Sequence, residues 1–268
     1  MGFYQHFYKY YDDIFPFAEE KLQFLLDQFS YLPAEASLLD IGCGTGTYTI
    51  SLQENSFDVV GIDKEIEMID HSREKAARKN MEIEPRFKIM DMQDLDVFYS
   101  PQSFSGVYSL GNVLVHLADE DEIATVIKKI YRILLTEGKL AVQIINYDRI
   151  ISQGITELPT IENEEAGVKF QRRYRYDEQR NQIKFHTRLT VENPETADEN
   201  RNTKFINSEN KEPETFVNSI ELYPLRSQEV MDLLEEAGFS AIKLYGNFSG
   251  EEYEPEDSYH LIFTAEKA

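Results

Sequence analysis

The residues best suited to chemistry lie in one short stretch, Leu38-Leu39-Asp40-Ile41-Gly42-Cys43-Gly44-Thr45-Gly46, where an apolar run ends in glycines. Glycines at that spacing let the backbone turn through dihedrals a Cβ forbids and let a ligand approach the main chain. Asp63 and Asp91 end the next two apolar runs. Asp63 sits near the offset of roughly 20 residues expected of a ribose-binding carboxylate. Two ligands suit a strand, a glycine turn, a helix and a later acid: a dinucleotide and S-adenosylmethionine. A dinucleotide fingerprint needs a third glycine at 47, which is Thr47. Asp40, beside the ligand's path, opposes a pyrophosphate and favours a ligand carrying an ammonium and a sulfonium. A glycine turn that serves packing alone is the plain alternative; acids on two successive strand ends speak for a ligand.

Elements that position these residues follow from periodicity. Leu22, Leu25, Leu26 and Phe29 recur at helical spacing, predicting a helix over about 18–30. Strands are expected at 37–41, 58–62, 86–90, 106–110 and 139–145, with helices between them. The helix after the glycines turns Tyr48 and Leu52 inward, and the next one Ile66, Ile69 and Ala76. Asp119, with Glu122 three residues on, reads as the start of a long helix. Ile123, Val126, Ile127, Ile130 and Leu134 form its apolar stripe, and Gly138 is its expected C-cap. Short apolar runs alternating with helices imply a parallel sheet covered on both faces.

After Ile151 the period changes to two. Phe170, Arg172, Tyr174 and Tyr176, then Ile183, Phe185, Thr187, Leu189 and Val191, alternate with polar residues on either side of the turn Asp177–Asn181, which predicts an antiparallel hairpin. Asn193 to Glu214 reads as a polar, mobile loop. A third antiparallel strand is expected around 216–222, then a helix over 230–237 stopped by Gly238, and two strands at about 240–246 and 258–265. The expected fold is α/β: a Rossmann-like, seven-stranded, mostly parallel sheet with helices on both faces. Its core takes 1–150 and 226–268, and 151–225 forms an antiparallel β insert acting as a substrate lid. No internal repeat is found.

Composition narrows the partners. The net charge is −22, from 27 Lys+Arg against 49 Asp+Glu, which repels phosphate backbones and anionic lipids. Neither nucleic acid nor membrane is an expected partner. No run approaches eighteen apolar residues, and the opening MGFYQHFYKYYDDIF lacks a basic region followed by an apolar run, so a cytoplasmic location is expected. One cysteine, Cys43, excludes an internal disulfide and a multi-cysteine metal site; no metal is expected. Arg172, Arg173, Arg175, Arg180, Lys184 and Arg188 are the one basic cluster, suited either to an anionic substrate or to solvated strand faces balanced by Glu.

The chain resembles the class I S-adenosylmethionine-dependent methyltransferases at LLDIGCGTG (38–46), VVGIDKEIEMI (59–69), FKIMDMQDL (87–95), GVYSLGNVLVHL (106–117) and ILLTEGKLAVQI (133–144). The resemblance implies that Asp40, Gly42 and Gly44 contact the methionine part of the cofactor, with Cys43 and Gly46 in the same turn. It implies that Asp63 takes the ribose hydroxyls, that Lys64 and Met68 border the adenine, and that Asp91 and Met92 meet its edge. Leu110, Gly111 and Asn112 would face the methionine end and the methyl group. Ser105 stands where the family usually shows Asp. The Asn/Asp-Pro-Pro-Tyr motif of nucleic-acid amino-methylating enzymes is absent. The insert is similar to that of small-molecule N-methyltransferases acting on glycine or amino sugars, whose N-terminal Tyr-Asp pair matches Tyr11-Asp12.

Methyl transfer is an in-line displacement at an activated carbon, so alignment carries much of the barrier. Tyr11, Asn112 and His116 are the residues expected to orient the acceptor, His116 being the best-placed base for a hydroxyl. Tyr4, Tyr8, Tyr10 and Tyr11 suit either a lid over the sulfonium or ordinary packing. The function expected is therefore methyl transfer to N or O of a small metabolite, in a monomer or homodimer. The alternatives are a regulatory protein that binds the cofactor without catalysis and an NAD-dependent oxidoreductase.

Overall fold

The computed structural model describes residues 7–33, 36–79, 86–192 and 212–268. In chain order the elements are α1 (Tyr11–Ile14), α2 (Glu19–Phe29), β1 (Ser37–Ile41), α3 (Thr47–Glu54), β2 (Asp58–Asp63), α4 (Ile66–Arg78), β3 (Phe87–Ile89), α5 (Leu95–Phe98), β4 (Phe104–Ser109), α6 (Glu120–Ile133), β5 (Leu134–Ile145), α7 (Tyr147–Ser152), β6 (Glu157–Asn163), β7 (Val168–Asp177), β8 (Gln182–Val191), β9 (Glu214–Leu222), α8 (Ser227–Ala237), β10 (Phe239–Tyr245) and β11 (His260–Lys267). Seven strands form one sheet in the order β10-β11-β5-β4-β1-β2-β3, and four form a second in the order β6-β7-β8-β9. In the first sheet β1, β2, β3, β4 and β5 pair in parallel, whereas β11 pairs antiparallel with both β5 and β10. This is the seven-stranded, mostly parallel α/β fold that the periodicity predicts.

The order reverses at β1, which lies between β2 and β4. Crevices for ligands in such sheets open at that switch point, at the carboxyl ends of the strands. Both ends are pinned: Ser109 Oγ at the end of β4 donates to the Ile41 carbonyl at 2.8 Å.

α6 shows how sequence makes the layer that braces this crevice. Asp119 caps it by accepting from the Glu122 N–H at 2.9 Å, and Ile123, Val126, Ile127, Ile130 and Ile133 are fully buried. Each such side chain is worth about 1.5–3 kcal/mol relative to exposure. Glu122 reaches back to the Ala118 N–H rather than to Asp119.

Three local expectations are corrected. Gly138 is not a helix cap: α6 stops at Ile133 because Leu134 is already extended and pairs with Phe104. Gly138 lies within β5, where a Cβ would stand 2.8 Å from the Leu135 carbonyl and 3.1 Å from that of Ser105, so close backbone approach explains it. Ile66, expected inside, is 51% exposed because it opens the first turn of α4. β6 was not expected: Pro159 and four polar or acidic residues, Glu157, Thr160, Glu162 and Asn163, hide it, and an edge strand with a register shift between Leu158 and Ile161 tolerates that proline. Tyr4 and most of the Asn193–Glu214 segment lie outside the described residues.

The second sheet does not stand apart. Leu158, Tyr174, Ile183 and Leu222 share one apolar cluster with α6, β4 and β5. Val168, Phe170, Leu189 and Val191 pack with Phe7, Tyr10, Ile14 and Met68. Its inner face therefore faces the switch point. No described helix is long and apolar enough to cross a membrane.

Candidate active site

Two adjoining hollows open at the carboxyl ends of β1, β2 and β4. The first is lined by Gly44, Asp63, Lys64, Met68, Asp91 and Met92, among others. The second, of about 330 Å³, is lined on one side by Asp40, Cys43 and Asn112 and on the other by Phe170, Arg172 and Tyr174. Tyr11, Gly42, Leu110, Gly111 and His116 border both. The candidate residues at 11, 40, 42–44, 63, 64, 68, 91, 92, 110–112 and 116 thus share one cleft. Gly46 does not reach its wall. A Cβ there would meet Phe87 at 2.7 Å and Ser72 at 2.9 Å, and its φ is 75°. Glycine at 46 answers helix–strand packing and the left-handed start of α3.

The turn is built by its own backbone. Gly42 and Cys43 N–H groups both donate to the Ile62 carbonyl, at 2.8 and 2.9 Å. Gly44 has a φ of 53°, and a Cβ on it would enter the space beneath the Tyr11 ring, 3.6 Å away. Gly44 N–H donates to Asp63 Oδ2 at 2.9 Å and Glu65 N–H to Oδ1 at 3.0 Å. Two backbone bonds aim this carboxylate while leaving it lone pairs for ribose hydroxyls. Burial nevertheless raises the Asp63 pKa, against those hydrogen bonds. Asp91 caps the turn after β3 by accepting from the Gln93 N–H at 2.9 Å.

Asp40 is 4% exposed and forms no ion pair among the described residues. Thr49 Oγ1 donates to it at 2.6 Å, yet burial, with Asp63 nearby, lifts its pKa to about 7. A buried carboxylate held so high is short of a cation, which the ammonium of S-adenosylmethionine would supply. Cys43 is a packing residue, its Sγ set against Gly61, and burial pushes its thiol well up.

An ion-paired network that the sequence did not signal fastens the N-terminal segment to the turn. Asp12 accepts from Thr45 Oγ1 at 2.6 Å and meets Lys75 Nζ at 2.5 Å. Burial raises its pKa, but Lys75, Thr45 and His71 together bring it below the usual carboxylate value. Tyr11, the next residue back, is thereby set over Gly44, and Phe7 and Phe15 flank its ring at 5.8 and 5.1 Å. Tyr10 is buried in the core instead.

Gly111 and Asn112 both take positive φ, 90° and 71°, to turn the chain out of β4. The Asn112 side chain is committed to the protein: its Oδ1 accepts from the Ile145 N–H at 3.0 Å and its Nδ2 donates to the Tyr147 hydroxyl at 2.9 Å. Its role is to brace Tyr147. His116, on the turn that follows, has its pKa lowered to about 4 by burial, with Lys64 adding to it.

Gln143, His260, Tyr174 and Lys21 complete the second hollow, and none was expected there. Gln143 lies two residues before the end of β5 and His260 begins β11, so the antiparallel neighbour brings its amino end to the same edge. Of the basic cluster, Arg173 and Arg180 pair with Glu157 and Glu221, and Arg175, Lys184 and Arg188 are exposed on the outer face. Arg172 alone turns inward.

Comparisons agree with this geometry. Residues 38–138 match the family model described as a methyltransferase domain. A glycine/sarcosine N-methyltransferase of Aphanothece halophytica is 28% identical over 230 residues, 86% of this chain and 76% of that protein. Two solved structures share the fold. One, a S-adenosylmethionine-dependent methyltransferase from Clostridium acetobutylicum, has a TM-score of 0.76 and 14% identity, covering 99% of each chain. The other, the S-adenosylmethionine-bound amino pentose methyltransferase CalS10 from Micromonospora echinaspora, has a TM-score of 0.64 and 18% identity, covering 100% of this chain and 99% of that one. Residues 38–138 match a methyltransferase domain, and the fold is shared with S-adenosylmethionine-dependent methyltransferases, which supports S-adenosylmethionine as the cofactor.

Proposed function

We propose that the protein methylates the nitrogen of a small-molecule amine bound in the second hollow. The observation that carries this reading is the wall of that hollow: aromatic rings and two imidazoles, His116 and His260, with pKa values lowered to about 4 by burial. Bases that weak do little to ionise a hydroxyl, whereas an amine that enters neutral already bears its lone pair. The name of a related protein, a glycine/sarcosine N-methyltransferase, supports the same acceptor atom.

S-adenosylmethionine supplies a methyl group on a sulfonium. The protein's own residues would do the rest. Asp40 meets the ammonium and Asp63 the ribose. Tyr11 covers the glycine turn and keeps water from it. Asn112, braced by Tyr147 behind it, borders the acceptor, and the inner face of β7 and β8 closes the other side. Placing the two reactants in this way can lower the barrier by about 7–11 kcal/mol. We take 151–225 as a lid that determines which acceptor enters.

Incubation with S-adenosylmethionine and a panel of primary amines and matched alcohols, read by mass spectrometry, tests the proposal. Methylated amines are the expected products. Methylated alcohols without methylated amines would overturn it. Tight cofactor binding with no product from either set would favour the regulatory alternative.

A further inference from the structure

Three observations converge on the wall opposite the glycine turn. Arg172 on β7 pairs in register with Thr187 on the inner face, between Phe170 and Tyr174, and lines the cavity. One of its nitrogens, Nη2, donates to the Pro159 carbonyl at 2.9 Å. Its Nε is buried without a partner, and it forms no ion pair among the described residues. In a chain of net charge −22, an inward arginine with no carboxylate beside it is out of keeping with its surroundings. Lys21, on the same cavity, likewise forms no ion pair among the described residues and lies over the Tyr48 and Phe248 rings.

His260 supplies the next observation, through a relay that settles its tautomer. The Gly111 N–H can only donate, and it meets Gln143 Oε1 at 2.9 Å. The Gln143 amide is thereby oriented with Nε2 toward His260 Nδ1, 3.1 Å away. An amide NH₂ can only donate, so Nδ1 accepts and the neutral ring carries its proton on Nε2. Burial, with Lys21 and Arg172 nearby, keeps the ring neutral. His260 is thus a hydrogen-bond donor and not a base, and Gln143 is the residue that positions it. The same Gln143 side chain touches Gly111 at the cofactor wall, so this donor lies one side chain from the methyl end.

We infer that Arg172 and His260 form a donor pair that binds an oxyanion on the methyl acceptor, which makes the acceptor an amine bearing a carboxylate or phosphate-type group. This rests on the reading of the cleft as an amine methyltransferase site. A guanidinium and an imidazole N–H both donate and neither accepts in this state, so a group rich in lone pairs satisfies both at once.

The test uses the whole protein saturated with S-adenosylhomocysteine, titrated separately with acetate and inorganic phosphate. Long-range ¹H–¹⁵N spectra of the histidine rings and calorimetry follow binding, with His260→Gln assigning the signal. His260 is expected as the Nε2–H tautomer, and at least one anion should shift it saturably. Arg172→Gln should weaken that anion at least about tenfold, with S-adenosylhomocysteine affinity held within about twofold. Tighter acetate indicates a carboxylate acceptor, and tighter phosphate a phosphorylated one. A proton on Nδ1, no saturable binding of either anion, or equal binding by Arg172→Gln overturns the proposal. So does a loss of S-adenosylhomocysteine affinity in that variant, which would assign Arg172 to the cofactor's carboxylate. Failure of the unaltered protein to bind S-adenosylhomocysteine would instead overturn the methyltransferase reading beneath it.

Discussion

The two walls of the cleft are built in opposite ways. The cofactor wall is local: the turn at 42–46, Asp63 and Asp91 follow one another along β1, β2 and β3, and main-chain hydrogen bonds set their geometry. The acceptor wall is assembled from α2, β5, β7, β8 and β11, residues up to 239 positions apart between Lys21 and His260, and side chains set its geometry. A wall made of backbone suits a ligand that never changes. A wall made of side chains on a separate sheet can be altered without disturbing the turn.

Gly46→Ala should destabilise the whole protein by about 2–5 kcal/mol, combining overpacking against Phe87 with a strained left-handed backbone. Chemical denaturation reads this, and an unaffected midpoint would mean the turn is softer than its contacts indicate. Asp63→Ala should weaken S-adenosylhomocysteine by about 1.5–3 kcal/mol with stability little changed, because it removes a charged acceptor from the ribose hydroxyls. Unchanged calorimetric affinity would put the ribose elsewhere.

The pH effect on cofactor binding near neutrality belongs to the cofactor wall. Asp40 titrates near about 7 in the free protein, and the bound ammonium favours its ionised form. Below that pH, binding must first expel a proton, so affinity should fall by up to about tenfold per pH unit as pH drops. Asp40→Asn should bind weakly and lose the slope. An identical slope in that variant would assign the titration to another group. On the acceptor wall, His116→Ala should lower turnover on an amine by less than about tenfold, near 1.4 kcal/mol. A loss of about 10²-fold or more would mean that His116 takes a proton in the reaction and that the acceptor is a hydroxyl.

Legibility divides along the same line. The β1, β2 and β3 runs, the Asp119 cap and the β7–β8 hairpin were readable because each depends on neighbours a few residues apart. The strand-end acids were readable for the same reason. Gly138 misled because a glycine after an apolar helical stripe has the same local look whether it caps a helix or admits a neighbouring strand. β6 was hidden by Pro159 and its acidic residues, since an edge strand owes its place to β7 rather than to its own pattern. Gln143 and His260 meet only through the pairing of β5 with β11, and Asp12 reaches Lys75 across 63 positions, so no local spacing announces either contact.

The central claim is that one cleft has two separable walls, and a single calorimetric series with S-adenosylhomocysteine tests it most directly. Asp63→Ala alters the cofactor wall, and Tyr174→Phe removes only a hydroxyl from the acceptor wall. The predicted result is an affinity loss of about ten- to a hundredfold in Asp63→Ala and less than about twofold in Tyr174→Phe. Comparable losses in both variants, or none in either, would contradict the division.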